Sequence, residues 1–207
     1  ALGFQVLSSV IIKRINETRD NVFAGRKKIN CDVLSVSGGW SPVVHLSSQS
    51  GAKAFWDDKK KCFLPGDPVQ EELSIGSCNG SYDLKESMQQ AIDVVAKILK
   101  IDVNKSAPDV EIFDPCGQDD FLLLCRKKSL KRAGKQFVDF QNDVTAGDIE
   151  LAASEGYHSI EHVKRYTALG FGTDQGKLGN VVGMNVLAKL LNKKPGEVGT
   201  TTFRPAY

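Results

Sequence analysis

At 207 residues, with 41% hydrophobic and 25% charged residues and a formal net charge of +2, the chain is long enough for one or two domains and a sizeable core. The near-neutral charge and the scarcity of aromatics beside the basic runs exclude a nucleic-acid footprint. No apolar run approaches the ~18 residues of a membrane helix, and the start ALGFQVLSSVIIKRI lacks the basic n-region of a signal peptide.

In chain order, 6–17 (VLSSVIIKRINE) is a β-rich run, and 31–37 (CDVLSVS) is a second. The latter is apolar on both faces and stops at Gly38-Gly39, the pattern of a buried parallel strand feeding a loop. In that loop Trp40 reads as an aromatic cap packing on the hairpin that follows. That hairpin covers 52–64, with a charged turn at 57–61 and Pro65-Gly66 closing it. A strand over 73–76 then runs into SCNGSYDL, where Gly76 and Gly80 let the backbone pass close to a ligand beside a helix start. From Leu84, the positions Met88, Ala91, Ile92, Val95 and Leu99 recur at helical spacing and predict an amphipathic helix to about Lys100.

Residues 105–120 are rich in Asp, Pro and Ser and read as a linker with one short strand at 110–113. Beyond it, 121–125 and 136–140 are short β candidates flanking the basic run Arg126–Arg132. Thr145 and Asp148 mark a helix start over 147–155. Ser159 opens a second helix, ended by Gly170; a third covers roughly 178–192; and Pro195 opens one more turn. The fold expected is an α/β portion over 1–104, the linker, and a small, mostly helical domain over 121–207.

The five cysteines, Cys31, Cys62, Cys78, Cys116 and Cys125, lack CxxC or CxC spacing and read as free thiols of a reducing cytoplasm. His158 and His162, four apart, read as a helix-start residue and a surface residue rather than a metal pair. No GxGxxG turn follows a strand; Gly170-Phe171-Gly172 follows a helix and lacks the third glycine. No Ser-His-Asp order or convergent carboxylate pair indicates catalysis by the chain alone.

Residues 157–204 collect Lys164, Arg165, Thr173, Gln175 and Arg204 around a glycine-rich turn. Fixed cations, a hydroxyl and an amide are the donors a phosphate needs. On composition alone a solvated surface is the favoured reading of the same residues.

The runs CDVLSVSGGWSPVVHL, SIGSCNGSYDL, FVDFQNDVTAGDIELA, SIEHVKRYTALGFGTDQGK and EVGTTTFRPAY resemble successive landmarks of the α subunit of the heterotetrameric, folate-dependent sarcosine oxidase family. The KRYT, GTDQGK and GTTTFRP landmarks are specific; the glycine turns are not. The resemblance covers only the middle of such a subunit. It implies an α/β fold that is the C-terminal portion of an NAD/FAD-binding-like flavoprotein domain, followed by a small helical domain.

The resemblance also implies that Lys164, Arg165, Thr173, Gln175 and Arg204 face FMN at the interface with a β subunit. Ser77, Tyr82 and Leu84 would border NAD, with the GGWSP loop walling the same cleft. A β subunit would oxidise sarcosine on FAD, γ and δ subunits would complete the oligomer, and a tetrahydrofolate domain would follow downstream. Some related dehydrogenases carry a CxC pair for an iron–sulfur cluster. Asp139 and Gln141 stand at those positions, which implies no cluster here and sets the chain apart from related proline or opine dehydrogenase subunits. The alternatives are a non-catalytic module bridging flavoprotein subunits and a subunit of a related proline or opine dehydrogenase, against which the missing cysteine pair stands.

Overall fold

The computed structural model describes residues 6–15, 22–35, 40–103, 106–110, 135–201 and 203–204. Residues 111–113 of the strand expected at 110–113, the strand expected at 121–125, the basic run 126–132 and most of the 105–120 linker lie outside the described residues.

The described chain mixes helices with two-stranded antiparallel pairs. Strand β1 (Ser9–Ile15) pairs with β2 (Val22–Asn30), from Ser9 opposite Asn30 to Ile15 opposite Val22. Ile11 and Ile12 are successive strand residues, so they point to opposite faces. Both are about half exposed (55% and 48%), so neither face of this ribbon is covered within the described chain. Residues 31–35 form no strand, and Val33 and Leu34 are exposed. This corrects the expected buried parallel strand at 31–37. The partner of β1 is the basic stretch VFAGRKKIN, whose few apolar residues hide it from a pattern search, while an apolar run without a neighbouring strand stays irregular.

A short helix, α1 (His45–Gln49), leads into the predicted hairpin of β3 (Phe55–Asp57) and β4 (Cys62–Leu64). The Asp57 carboxylate accepts the N–H groups of Lys59 and Lys60 at 2.8 and 2.7 Å, which closes the charged turn. The strand expected at 73–76 is absent; the chain enters a 3-10 turn at Gly76–Asn79. Both Gly76 (φ +62°) and Gly80 (φ +69°) are left-handed there, which breaks an extended path.

Helix α2 (Leu84–Leu99) follows as predicted, with Asp83 accepting the Glu86 N–H at 2.8 Å as its N-cap. None of its residues is buried; Leu84, Val95, Ile98 and Leu99 are exposed.

From residue 135 onward the chain closes on itself. Strands β5 (Phe137–Asp139) and β6 (Val144–Thr145) form a tight antiparallel pair. Thr145 and Asp148 form a reciprocal capping box that starts α3 (Ala146–Ser154). Helices α4 (Ile160–Thr167) and α5 (Asn180–Leu190) complete the unit, with Pro195 opening the 3-10 turn Pro195–Val198. Ser159 occupies the N-cap position of α4 without a side-chain capping bond.

The hydrophobic core lies here: Ile149, Ala152, Ile160, Val163, Leu169, Leu187 and Ala188 are all fully buried. Trp56 and Phe63 of the β3–β4 hairpin pack against it. Trp56 stacks edge-on to Phe63 (5.3 Å between centroids), and Phe63 to Phe203 (5.5 Å). Trp40, expected to pack on this hairpin, is 71% exposed; Trp56 fills that role from within it.

Candidate functional site

The sequence of α4, IEHVKRYT, buries Ile160 and Val163, three apart on one face. That leaves Glu161 and Arg165 on the far side, within 3.6 Å of each other across one turn, with half-buried Lys164 flanking the buried face. The loop between α4 and α5 then turns three times through left-handed conformations, at Ala168, Gly170 and Gln175–Gly176. Glycine is required at 176: a Cβ there would overlap the Asn180 side chain. That amide is held in place, donating to the Gln175 carbonyl (3.4 Å) and to Thr201 Oγ1 (3.1 Å). The second bond ties the tail to α5, and the Phe203–Phe63 contact ties it to the hairpin. Arg204 thereby leaves a braced segment.

These three segments meet. Lys164 and Arg165 from α4, Gln175 from the loop and Arg204 from the tail line one open recess of about 350 Å³, with Glu161, Gly170 and Phe171 completing the wall. The Lys164 ammonium also lies 5.6 Å above the Phe171 ring. Its pKa is held below the ordinary lysine value, first by burial; Glu161 opposes that shift, and the positive charges of Arg204 and Arg165 add to it. Three cations share the recess with one carboxylate. Such a set is relieved by an anion, and a phosphate answers both the Arg fork and the Lys point charge. The donor chemistry therefore fits a phosphoryl group.

Four of the five residues expected to face FMN converge. Thr173 does not line the recess; its Oγ1 accepts a hydrogen bond from Gln141 Nε2 at 3.1 Å and braces the loop. Sequence reading missed Glu161, whose spacing to Arg165 is a visible helix pair. It also missed Asn180 and Phe171, for which no local signal exists. A smaller cavity of about 50 Å³ adjoins the recess, sharing Gln175 and Arg204, and takes in Ser41 and Pro42 from the end of the GGWSP loop.

The segment expected to border NAD is arranged differently. Ser77 is exposed on the 3-10 turn, Tyr82 is half-buried, and Leu84 is 52% exposed at the start of α2. The close approach that Gly80 permits is to the protein itself: a Cβ there would come within 2.5 Å of Leu64 Cδ2, and the Gly80 carbonyl accepts Lys60 Nζ at 2.6 Å. The N-terminus of α2, expected to offer free N–H groups to a ligand, is already capped by the Asp83 carboxylate, with Glu86 in its first turn. This end repels a pyrophosphate rather than attracting one.

Asp139 and Gln141, at the positions of the CxC pair, serve as hydrogen-bond partners. Asp139 accepts the N–H groups of Gln141, Asn142 and Gly170. Gln141 accepts the Asp174 N–H in addition to donating to Thr173. Among the described residues no group of three or more His, Cys, Asp or Glu is placed to hold a metal ion. No helix there is long and apolar enough to cross a membrane. Cys31, Cys62 and Cys78 are free thiols, and burial pushes the Cys62 pKa up to about 11; Cys116 and Cys125 lie outside the described residues.

Residues 133–207 match the sarcosine oxidase A3 domain family. Over 97% of its length the chain is 33% identical to sarcosine oxidase subunit alpha of Corynebacterium sp. (strain P-1), covering 21% of that protein. It is 36% identical over 86% of its length to sarcosine oxidase subunit alpha of Rhizobium meliloti (strain 1021), covering 18%. The chain thus spans about a fifth of the length of the curated relatives it matches. Its fold is like that of L-proline dehydrogenase from P. horikoshii, with a TM-score of 0.59 at 16% identity over 99% of this chain and 41% of that one. The chain is therefore similar along nearly its whole length to a segment of sarcosine oxidase subunit alpha, and its residues 133–207 are similar to the A3 domain family.

Proposed function

We propose that the chain is part of the α subunit of a heteromeric sarcosine oxidase and holds FMN at the interface with a β subunit. The observation that carries this reading is the convergence of Lys164, Arg165, Gln175 and Arg204 from three segments on one recess with an excess of positive charge. Lys164 and Arg204 would take the phosphate as charge-assisted donors, and Gln175, already held to Gly172 at 3.0 Å, would orient it. Arg165 would exchange Glu161 for the ligand. Bound there, FMN would supply the redox chemistry that carries electrons onward to oxygen. The chain's own residues bind and orient; oxidation of the amine would occur on FAD in the β subunit. γ and δ subunits, a tetrahydrofolate domain and a cytoplasmic location belong to the same reading.

For NAD the segment 77–84 supports a narrower role. With Asp83 on the helix terminus, Ser77 would offer its hydroxyl to a ribose, while Tyr82, whose hydroxyl oxygen is buried, and Leu84 would give only apolar contact, not a pyrophosphate site. A second reading, a bridging module without cofactor, draws on the uncovered faces of the β1–β2 ribbon and of α2. Co-purification with a flavoprotein β subunit separates the two. FMN retained by the wild type and lost in Arg204→Ala supports the clamp. A complex whose flavin content is unchanged by the substitution refutes it.

A further inference from the structure

The cationic recess keeps its shape only if the loop between α4 and α5 does, and the geometry points to Asp139 as the positioning residue that fixes that loop. This inference rests on the recess being an anion clamp. Asp139 ends β5 and is 4% exposed. Its Oδ1 accepts the N–H groups of Gln141 (2.8 Å) and Asn142 (3.0 Å), closing the turn to β6. Its Oδ2 reaches across 31 residues to accept the buried N–H of Gly170 at 2.7 Å. Gly170 is a wall of the recess, and Gln175 stands five residues further along the same loop. Gln141 extends the tie outward, donating to Thr173 Oγ1 (3.1 Å) and accepting the Asp174 N–H (3.3 Å). The turn after β5 therefore grips the loop at 170, 173 and 174.

A carboxylate suits this position because both of its oxygens accept and neither donates. An asparagine would keep one oxygen for the turn N–H groups and set its own N–H₂ against that of Gly170. Asp139→Asn thus cuts the link to the loop while leaving the turn bonds and the volume of the side chain intact. Val138→Ala, on the neighbouring core position of β5 (6% exposed), weakens the same strand without touching Gly170.

The test uses the chain assembled with its flavoprotein partner and compares binding of FMN with that of riboflavin, which lacks the phosphate. The wild type is expected to prefer FMN, and Asp139→Asn to lose about tenfold of that preference, the scale of one charge-assisted bond. Val138→Ala is expected to lower Tm comparably and keep the preference. The exposed Gln141→Ala, which removes only the outer tie, should lose about two- to threefold and covers the case in which Asp139→Asn does not fold. An unchanged preference in both Asp139→Asn and Gln141→Ala overturns the positioning role and leaves the clamp standing. Equal losses in Asp139→Asn and Val138→Ala also overturn it, since general destabilisation would then be the cause. Absence of any FMN preference in the wild type overturns the clamp and this inference together.

Discussion

Two glycine turns lead into helices in this chain, at 76–84 and at 170–180; both press their backbone against protein side chains, and they differ in the charge that surrounds them. In the first, Gly80 lets the backbone press on Leu64 and Lys60, while Asp83 and Glu86 make the helix entrance negative. In the second, Gly170 and Gly176 fold a loop beside Lys164, Arg165 and Arg204. A glycine turn marks only a close approach. In both turns that approach is to protein, and the charge of the neighbouring side chains decides which of them suits an anion: only the second does.

The largest expected effect breaks the second turn. Gly176→Ala places a Cβ on the Asn180 amide at φ +75°, so the bonds to Gln175 and Thr201 are lost. We expect ~2–3 kcal/mol of destabilisation and loss of FMN binding, read by denaturant titration and flavin content. Gly80→Ala, strained at φ +69° against the flexible end of Leu64, should cost ~1–2 kcal/mol and leave the FMN affinity of the folded protein unchanged. A parallel loss of FMN in Gly80→Ala would abolish the distinction between the turns.

Thr145→Ala removes the cap of α3 and should cost ~1 kcal/mol in chemical denaturation. It should also change the acid limb. Hydrogen bonds from the Thr145 side chain and backbone hold the Asp148 pKa below its usual 3.8. That contribution is present above the unfolded value and lost as pH falls through the folded one. In Thr145→Ala, stability should fall less steeply below pH ~4. Smallest of all, Leu84→Ala, exposed at the start of α2, should change stability by no more than ~0.5 kcal/mol.

What was legible in the sequence was local. The α2 stripe, the Thr145–Asp148 cap and the charged turn of the β3–β4 hairpin are set by neighbours within four residues, and all three stand as read. Strand β2 was not legible, because VFAGRKKIN carries too few apolar residues to show a period, and the more apolar 31–35 drew the strand assignment. For the recess, the residue types that bind an anion were visible, but their convergence rests on Thr201–Asn180 and Phe203–Phe63, contacts separated by 21 residues or more. Thr173 was misplaced for the same reason: its partner, Gln141, lies 32 residues away.

The most direct test of the clamp is the titration of the Lys164 ammonium, followed by NMR, with and without FMN. Without ligand, burial and the charges of Arg204 and Arg165 hold its pKa below 10.5. The unfolded chain then binds more protons between the two values, so stability rises with pH across that interval. A phosphate in the recess favours the charged form, so FMN should raise the Lys164 pKa and its affinity should fall as pH climbs through that value. In Arg204→Ala the ligand-free pKa should move up toward the ordinary value. A Lys164 titration that FMN leaves unmoved would contradict the account.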